Sequence, residues 1–178
     1  MKHKSLALSA ACLLTITAAA AEPVRHSYEC DTPAGHFSYW RRTLTGKSID
    51  VEGKLTVNEL RKDAKWTPTT FVVLQGGPDD KTRFGIRLYT VPKAADLFFL
   101  EIVTPGGNEK LGLGMIPSTQ EPISFELHLD DSGQFRVVFA GLESSARSGD
   151  FRPASIQFSC STGDFEFKDF AIEEREGK

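Results

Sequence analysis

Polar and aromatic side chains recur at alternate positions in several segments of the chain, an arrangement that places each group on one side of a strand. The candidate ligand-binding residues are Trp40, Arg83, Arg87, Tyr89, Glu126, His128 and Arg136. Arginine offers planar donors for carboxylates, and tyrosine and tryptophan offer flat rings on which the C–H surface of a sugar packs. The set predicts a shallow groove for an acidic glycan. The alternative is that these charged pairs only keep one face of a sheet in contact with water.

The elements that position these residues are strands. Apolar and polar residues alternate with a period of two, and turn residues interrupt the pattern at short intervals, which is typical of an all-β sandwich. The predicted strands are 26–30, 37–44, 49–57, 70–75, 83–89, 97–103, 110–114, 123–130, 134–140, 155–160 and 165–173. Residues 57–65 form the one plausible helical turn. Trp66, which leads into a strand, is expected in the core.

The turn Asp131-Ser132-Gly133 joins two of these strands in a three-residue hairpin with glycine in the left-handed position. The hairpin register then follows by counting. The predicted apolar pairs are Leu129 with Phe135, Leu127 with Val137 and Phe125 with Phe139. On the opposite face, His128 meets Arg136 and Glu126 meets Val138. A slip by one residue would mix the two faces, so this register is strongly preferred.

Residues 1–21 have the pattern of a cleaved secretory signal peptide. Lys2 and Lys4 precede an apolar run that ends in small residues, and we expect cleavage after Ala20 or Ala21. The apolar run is too short to span a membrane, and no later segment resembles a span. A lipid-modified Cys12 is the rival interpretation, which is disfavoured because no large apolar residue stands three positions before it. The expected location is periplasmic or secreted.

The remaining residues 22–178 are expected to form a single β-sandwich domain, because they contain no repeat and no Pro- or Ser-rich linker. Their formal charge is −5, from 19 Lys and Arg against 24 Asp and Glu. A mildly acidic chain argues against nucleic acid as the partner, since nucleic acid requires a basic surface. The oligomeric state is not encoded in any pattern that we recognise.

The C-terminal segment 158–173, FSCSTGDFEFKDFAIE, resembles the closing strands of the concanavalin A-like, or laminin G-like, jelly rolls. The hairpin at residues 123–140 is also similar to theirs. The resemblance implies two antiparallel sheets stacked face to face, one of them curved, with both chain ends in neighbouring strands. It also implies that a carbohydrate or cell-envelope polymer is a possible partner.

Cys30 and Cys160 are the two cysteines that remain after removal of residues 1–21. The jelly-roll topology implied by the resemblance places them in neighbouring terminal strands, and an oxidising compartment favours a bond between them. We expect the disulfide at the edge of the core, joining the first strand to the penultimate one. A redox function is disfavoured because there is no Cys-x-x-Cys motif.

No catalytic, metal or cofactor motif accompanies the polar residues. The acids of related glycosidases follow a Glu-x-Asp-x-x-Glu or Glu-x-Asp-x-Glu pattern, and the segments 126–130 and 166–169 depart from it. The local strings of the polysaccharide lyases are also missing. Asp79-Asp80 and Asp130-Asp131 lack the alternating acids of a calcium loop. The glycine-rich turns at 76–78 and 105–107 do not open helices and are not phosphate cradles.

Three functions from different classes remain open at the level of sequence. The favoured one is a non-catalytic domain that recognises a glycan or envelope polymer on the polar face of one sheet. The second is an exported structural or protein-interaction domain with no small ligand. The third is a polysaccharide hydrolase or lyase without the familiar motif.

Overall fold

The structure, a computed structural model, describes residues 22–77, 82–91, 94–104, 111–117 and 121–176. The expected signal peptide, Cys12 and Asp79-Asp80 therefore lie outside the described residues, as does the turn at 105–107. The strands are β1 (Arg25–Thr43), β2 (Ser48–Leu60), β3 (Thr69–Gln75), β4 (Arg83–Val91), β5 (Ala94–Val103), β6 (Leu111–Pro117), β7 (Ile123–Leu129), β8 (Gln134–Phe139), β9 (Leu142–Arg147) and β10 (Ser155–Arg175). In these ranges, no helix has the length and apolar character needed to cross a membrane.

All ten strands belong to one antiparallel sheet in the order β6-β5-β4-β3-β10-β2-β7-β8-β9, with β1 paired to β10. The long strands β1 and β10 run through both halves of this sheet. Residues 155–161 of β10 pair with β3, and residues 163–175 pair with β2. We call the half that contains β3 to β6 the front layer and the half that contains β2 and β7 to β9 the back layer. The expected all-β jelly-roll sandwich is confirmed.

The sheet passes from one layer to the other without a chain reversal. Thr162 adopts a left-handed φ of 58° between the two halves of β10, and the register of β1 shifts between Thr32 and Phe37. The sequence predicted a pair of strands in each place because the turn residues of both segments interrupt the alternation. That prediction is wrong: each pair is one bent strand. The helical turn expected at 57–65 is also wrong, since residues 57–60 continue β2.

The core lies between the two layers and consists of the alternate apolar side chains that the sequence pattern predicts. Phe84 of β4 contacts Phe135 of β8, with ring centroids 5.2 Å apart. Phe158, in the first half of β10, packs against Phe125 of β7 and stacks on Phe170, 4.3 Å away in the second half of the same strand. Burying such rings supplies most of the driving force for stacking the layers.

The predicted hairpin register is confirmed at every position. Leu129 pairs with Phe135, Leu127 with Val137 and Phe125 with Phe139. Gly133 has the expected left-handed φ of 79°. On the opposite side His128 pairs with Arg136.

Cys30 and Cys160 form the expected disulfide, with Cα atoms 6.1 Å apart. Both residues are completely buried, so the bond lies inside the core and not at its edge. Cys30 is in the back-layer half of β1 and Cys160 is in the front-layer half of β10. The bond therefore joins the two layers where both strands bend, and it links the first strand to the last one instead of the penultimate one.

Candidate functional site

The seven candidate ligand-binding residues do not share one groove. Side chains alternate between the two sides of a strand, and Phe84 of β4 faces the core. Arg83, Arg87 and Tyr89 therefore lie on the outer face of the front layer. Phe135 of β8 also faces the core, so Arg136 lies on the outer face of the back layer, together with Glu126 and His128. The structure thus separates the candidates into two groups on opposite sides of the molecule. The expectation of a single groove formed by all of them is wrong.

Trp40 belongs to neither group, because its side chain points inward. Its ring makes edge contacts with Phe158 at 5.6 Å and Phe170 at 5.3 Å, both of which are core residues. Trp66 was expected in the core, but 52% of its surface is exposed. Trp66 lies in the segment before β3, and its position in the core was predicted wrongly.

The outer face of the front layer gathers aromatic side chains, and we call it the aromatic face. Cross-strand pairing arranges its residues in rows. One row contains Phe37, Ser161, Thr69, Tyr89, Phe99 and Met115, and the next contains Tyr39, Ser159, Phe71, Arg87 and Glu101. Phe37, Tyr39 and Met115 are exposed over 51%, 55% and 59% of their surfaces. The side chains at both ends of the aromatic face are therefore exposed to solvent.

The middle of the aromatic face is formed by β10 and β3, most of whose outward-facing side chains have little exposed surface. Most outward-facing residues of β3 and of the front half of β10 are nearly fully buried, and Phe71 and Ser155 are the partly exposed exceptions. The nearly buried ones are Thr69, Val73, Gln75, Gln157, Ser159 and Ser161. Three strand spacings, roughly 14 Å, separate Phe37 on β1 from Tyr89 on β4. Hydroxyl- and amide-bearing side chains thus lie between the aromatic side chains of β1 and those of β4, and we call this strip of the face the trough.

Arginine side chains stack on the aromatic rings of this trough. The Arg87 guanidinium lies over the Tyr89 ring at 4.4 Å and near the Phe71 ring at 5.6 Å, and Arg83 lies 5.8 Å from the same Phe71 ring. Such cation–π contacts hold the guanidinium planes against the face. The three residues that the sequence selected on β4 are thus brought together.

Tyr89 is tied to the acid of the neighbouring strand. Its hydroxyl donates to Glu101 Oε1 at 2.7 Å, and Arg87 forms a longer ion pair with Glu101 at 3.7 Å. Burial, together with the hydrogen bond to Glu101, raises the pKa of Tyr89 above its usual value. Tyr89 is therefore a neutral, oriented ring at all physiological pH values.

A second arginine and aromatic pair forms the β1 side of the trough. The Arg41 guanidinium lies over the Tyr39 ring at 5.4 Å. Arg41 also donates to Gln157 Oε1 through Nε at 3.2 Å and through a terminal nitrogen at 2.6 Å. The Phe37 and Tyr39 rings lie 6.0 Å apart. Both sides of the trough therefore combine flat rings with guanidinium groups.

The outer face of the back layer carries a charged groove. It has two adjoining parts, of about 250 and 460 Å³, and Glu52 and Glu126 line both. Glu52 and Glu126 are direct cross-strand partners, and their charges are offset by separate arginines, Arg25 at 2.8 Å and Arg136 at 3.5 Å. Like charges opposite one another are unfavourable in a sheet unless such counter-charges are present.

His128 also faces this groove and forms a chain with two residues that the sequence did not select. Its Nδ1 contacts the Asp50 carboxylate, and the Arg175 guanidinium contacts the same carboxylate. His128 and Asp50 are cross-strand partners on β7 and β2. The groove thus alternates acidic and basic groups along its length.

Asp130, one of the two acids at the hairpin turn, uses its carboxylate to accept hydrogen bonds within the turn. Its Oδ1 accepts from the Ser132 hydroxyl at 2.7 Å and from the Gln134 backbone N–H at 2.8 Å. These bonds lower the pKa of Asp130. Across the described ranges, no three His, Cys, Asp or Glu side chains are placed to share one metal ion.

Comparison with known proteins finds no matching family model and no matching curated protein. Solved structures do match. The carbohydrate-binding module CBM66 of Bacillus subtilis is 10% identical with a TM-score of 0.52, over 86% of this chain and 92% of the module. The chain has a jelly-roll fold.

Two enzymes share the same architecture. A family 18 polysaccharide lyase is 12% identical with a TM-score of 0.56, over 82% of this chain and 84% of the lyase. The β-glucanase of Bacillus licheniformis is 11% identical with a TM-score of 0.53, over 85% and 79% of the two chains. At these identities the comparison establishes the fold and not the activity.

Proposed function

We propose that this protein is an exported, non-catalytic domain that binds a carbohydrate or cell-envelope polymer on the aromatic face. The observation that carries the proposal is the trough between the Phe37 and Tyr39 rings on β1 and the Tyr89 ring on β4. Phe37 and Tyr39 are half-exposed, Tyr89 is partly exposed, and hydroxyl- and amide-bearing side chains lie between them. This combination suits a sugar, which has apolar ring faces and polar edges.

The fold supports the same proposal. A carbohydrate-binding module, a polysaccharide lyase and a glucanase have this architecture over most of their lengths. The buried disulfide between Cys30 and Cys160 supports export, because such bonds persist in oxidising compartments. The charge of the chain, −3 over all residues, favours neither nucleic acid nor anionic lipid.

A binding assay with three variants tests the proposal. Wild-type protein is titrated with soluble polysaccharides from plant, algal and bacterial envelopes by affinity electrophoresis. Tyr39→Ala removes one exposed ring and is expected to weaken binding by about tenfold, the contribution of one stacked ring. Arg87→Ala is expected to weaken it by a similar factor. Arg147→Gln, an exposed arginine on β9 of the back layer, is the control and leaves binding unchanged.

A second candidate function has one specific observation in its favour. Glu52 and Glu126 face each other across β2 and β7 at the centre of the charged groove, and paired carboxylates are the machinery of glycoside hydrolysis. A reducing-end assay on the same polysaccharides tests it. Release of reducing ends that both Glu52→Gln and Glu126→Gln abolish would establish a hydrolase and would displace the non-catalytic proposal.

A further inference from the structure

We propose that the aromatic face contains a subsite for an acidic group, either a carboxylate or a sulfate, formed by Ser159, Arg83 and Arg87. The inference rests on the proposed function, because it names the class of glycan that the same face binds. It starts from two side-chain donors that the fold leaves without an acceptor.

Those donors are Ser159 Oγ and Arg87 Nε. Both atoms are buried, and neither has a hydrogen-bond partner in the part of the chain that the structure describes. Ser159 is 1% exposed although it points to the outer side of β10, where its cross-strand neighbours are Tyr39 and Phe71. Leaving such groups unpaired costs folding free energy, so their retention in one cross-strand row points to a ligand.

The chemistry of the donors defines the ligand group. Arginine Nε can only donate, and the serine hydroxyl can donate as well as accept. A carboxylate or sulfate presents several acceptor oxygens and no donor, so it can accept from either of these atoms and from the neighbouring guanidinium N–H groups. A neutral sugar hydroxyl can also accept from these donors, but it carries no charge and therefore lacks the stronger charge-assisted bond to arginine.

The guanidinium groups of Arg83 and Arg87 lie near the same aromatic ring, that of Phe71. Arg83 and Arg87 lie 5.8 and 5.6 Å from the Phe71 centroid. The described residues offer Arg83 no ion-pair partner, and the pair between Arg87 and Glu101 is long at 3.7 Å. Guanidinium groups bind carboxylates through two parallel hydrogen bonds, which fixes the orientation of the acid.

The charge of the aromatic face is opposite to that of the chain. Arg41, Arg83 and Arg87 lie on it, and Glu101 is its sole acid among the described outward-facing residues of the front-layer rows. The chain as a whole carries a formal charge of −3. An anionic polymer is therefore attracted to this face and repelled by much of the remaining surface.

Tyr39 is the cross-strand partner of Ser159 on β1. Tyr39 lies on β1, which pairs with β10 alone, and it is 55% exposed. Rotation of such an exposed side chain takes place within nanoseconds. The Tyr39 side chain can therefore move to admit an acidic sugar to Ser159 and stack against it.

The test compares each polysaccharide that binds with a neutralised form of itself. The acidic probes are polygalacturonate, alginate and dextran sulfate, and their partners are the carboxyl-reduced or desulfated polymers; xylan and laminarin are the neutral probes. We expect calorimetry to show a loss of about tenfold or more on neutralisation, which corresponds to one hydrogen bond to a charged group. Arg83→Gln and Ser159→Ala should each reduce the preference for the acidic form, while Arg147→Gln retains it.

Ser159→Ala also separates binding from folding. Because the hydroxyl has no protein partner to lose, its thermal unfolding midpoint should equal or exceed that of the wild type while its affinity falls. Binding of neutral polysaccharides with an affinity that Arg83→Gln and Ser159→Ala leave unchanged would overturn the acidic subsite and leave the glycan-binding proposal standing. Absence of binding to every polysaccharide would overturn both.

Discussion

Gly53 on β2 has no room for a side chain. A Cβ atom at this position would lie 2.7 Å from Phe125 Cζ and 2.7 Å from the Phe170 Cβ. Glycine at this position leaves space for two core phenylalanines. We expect Gly53→Ala to lower the free energy of unfolding by about 1 to 3 kcal/mol, as overpacked cores do. Urea denaturation measures the change.

Shortening the opposing ring is the control for this prediction. Phe125→Leu removes Phe125 Cζ, one of the two atoms that a Cβ at residue 53 would strike. The double variant should therefore be more stable than the sum of the two single changes predicts. Strict additivity would show that the Gly53 contact does not limit the packing.

Glu174 fastens the turn between β1 and β2 to the end of β10. Its carboxylate accepts from the backbone N–H groups of Thr45 at 2.7 Å and Gly46 at 2.9 Å, and from Arg42 at 2.8 Å. Burial alone raises the pKa of Glu174, but the three donors outweigh burial and hold the pKa below the ordinary value of 4.5. The ionised form is thus the one that the fold favours.

The pH dependence of stability follows from this lowered pKa. A carboxyl with a lower pKa in the folded state stabilises the protein above its unfolded-state pKa, and this stabilisation is lost as the pH falls through the folded-state pKa. Glu174→Gln should therefore lower the urea midpoint most at pH 7, and its difference from the wild type should narrow below pH 4.5. A difference that stays constant from pH 7 to pH 3 would contradict the assignment.

At the level of strands, alternation and turn chemistry predicted most of the fold. The hairpin of β7 and β8 is correct in every pair because Gly133 sets the turn and one register alone buries the apolar side chains. The bent strands β1 and β10 were each divided in two. A left-handed residue such as Thr162 redirects a strand without reversing it, and local sequence does not distinguish a bend from a turn.

Strand β9 was missed altogether. Its sequence from Leu142 to Arg147 contains only Leu142 and Ala146 as apolar residues on the inner side, so the alternation is too weak to detect. β9 forms because the hairpin turn at Ala140 and Gly141, both with positive φ, returns the chain beside β8. Pairing with an existing strand compensates for a weak apolar pattern.

The candidate site was predicted in part. The polar residues of one strand were correctly placed together, since Arg83, Arg87 and Tyr89 depend only on the period of two. Their neighbours on other strands, above all Tyr39, Phe71 and Ser159, follow from the order β1-β10-β3-β4, which is a long-range property. For the same reason the sequence could not show that Glu126 and His128 face the opposite side.

The disulfide connects β1 to β10 close to the point at which each strand bends. It closes a loop with a sequence separation of 130 residues. Replacing both Cys30 and Cys160 by Ala should lower the free energy of unfolding by about 2 to 5 kcal/mol. Urea denaturation of the double variant, with the wild type unfolded under the same conditions, measures the change. An unaltered midpoint would show that strand pairing alone holds the two layers at their shared corner.

For the molecule as a whole, the two outer faces have different characters. The aromatic face combines half-exposed rings with three arginines, whereas the charged groove intersperses acids and bases that largely neutralise one another. A polymer gains both stacking and electrostatic attraction only on the aromatic face. The proposed glycan site is placed on the aromatic face because of this difference between the two sides.

Export of the protein, with removal of residues 1–21, can be tested directly. Expression of the full sequence in a bacterium should yield a mature protein that begins at Ala21 or Glu22 and contains the Cys30–Cys160 bond. Mass spectrometry of the periplasmic and culture fractions gives both results. Retention of residues 1–21 on a soluble cytoplasmic protein would contradict export.

Binding of a glycan to the aromatic face can be located residue by residue by chemical-shift mapping. Isotope-labelled protein is titrated with the acidic and neutral polysaccharides used above, in the form of short oligosaccharides. The perturbed backbone amides are expected to cluster at Tyr39, Ser159 and Arg87 and their cross-strand neighbours. Perturbations centred on Glu126 and His128 in the charged groove, or no perturbation by any of the oligosaccharides at millimolar concentration, would contradict this expectation.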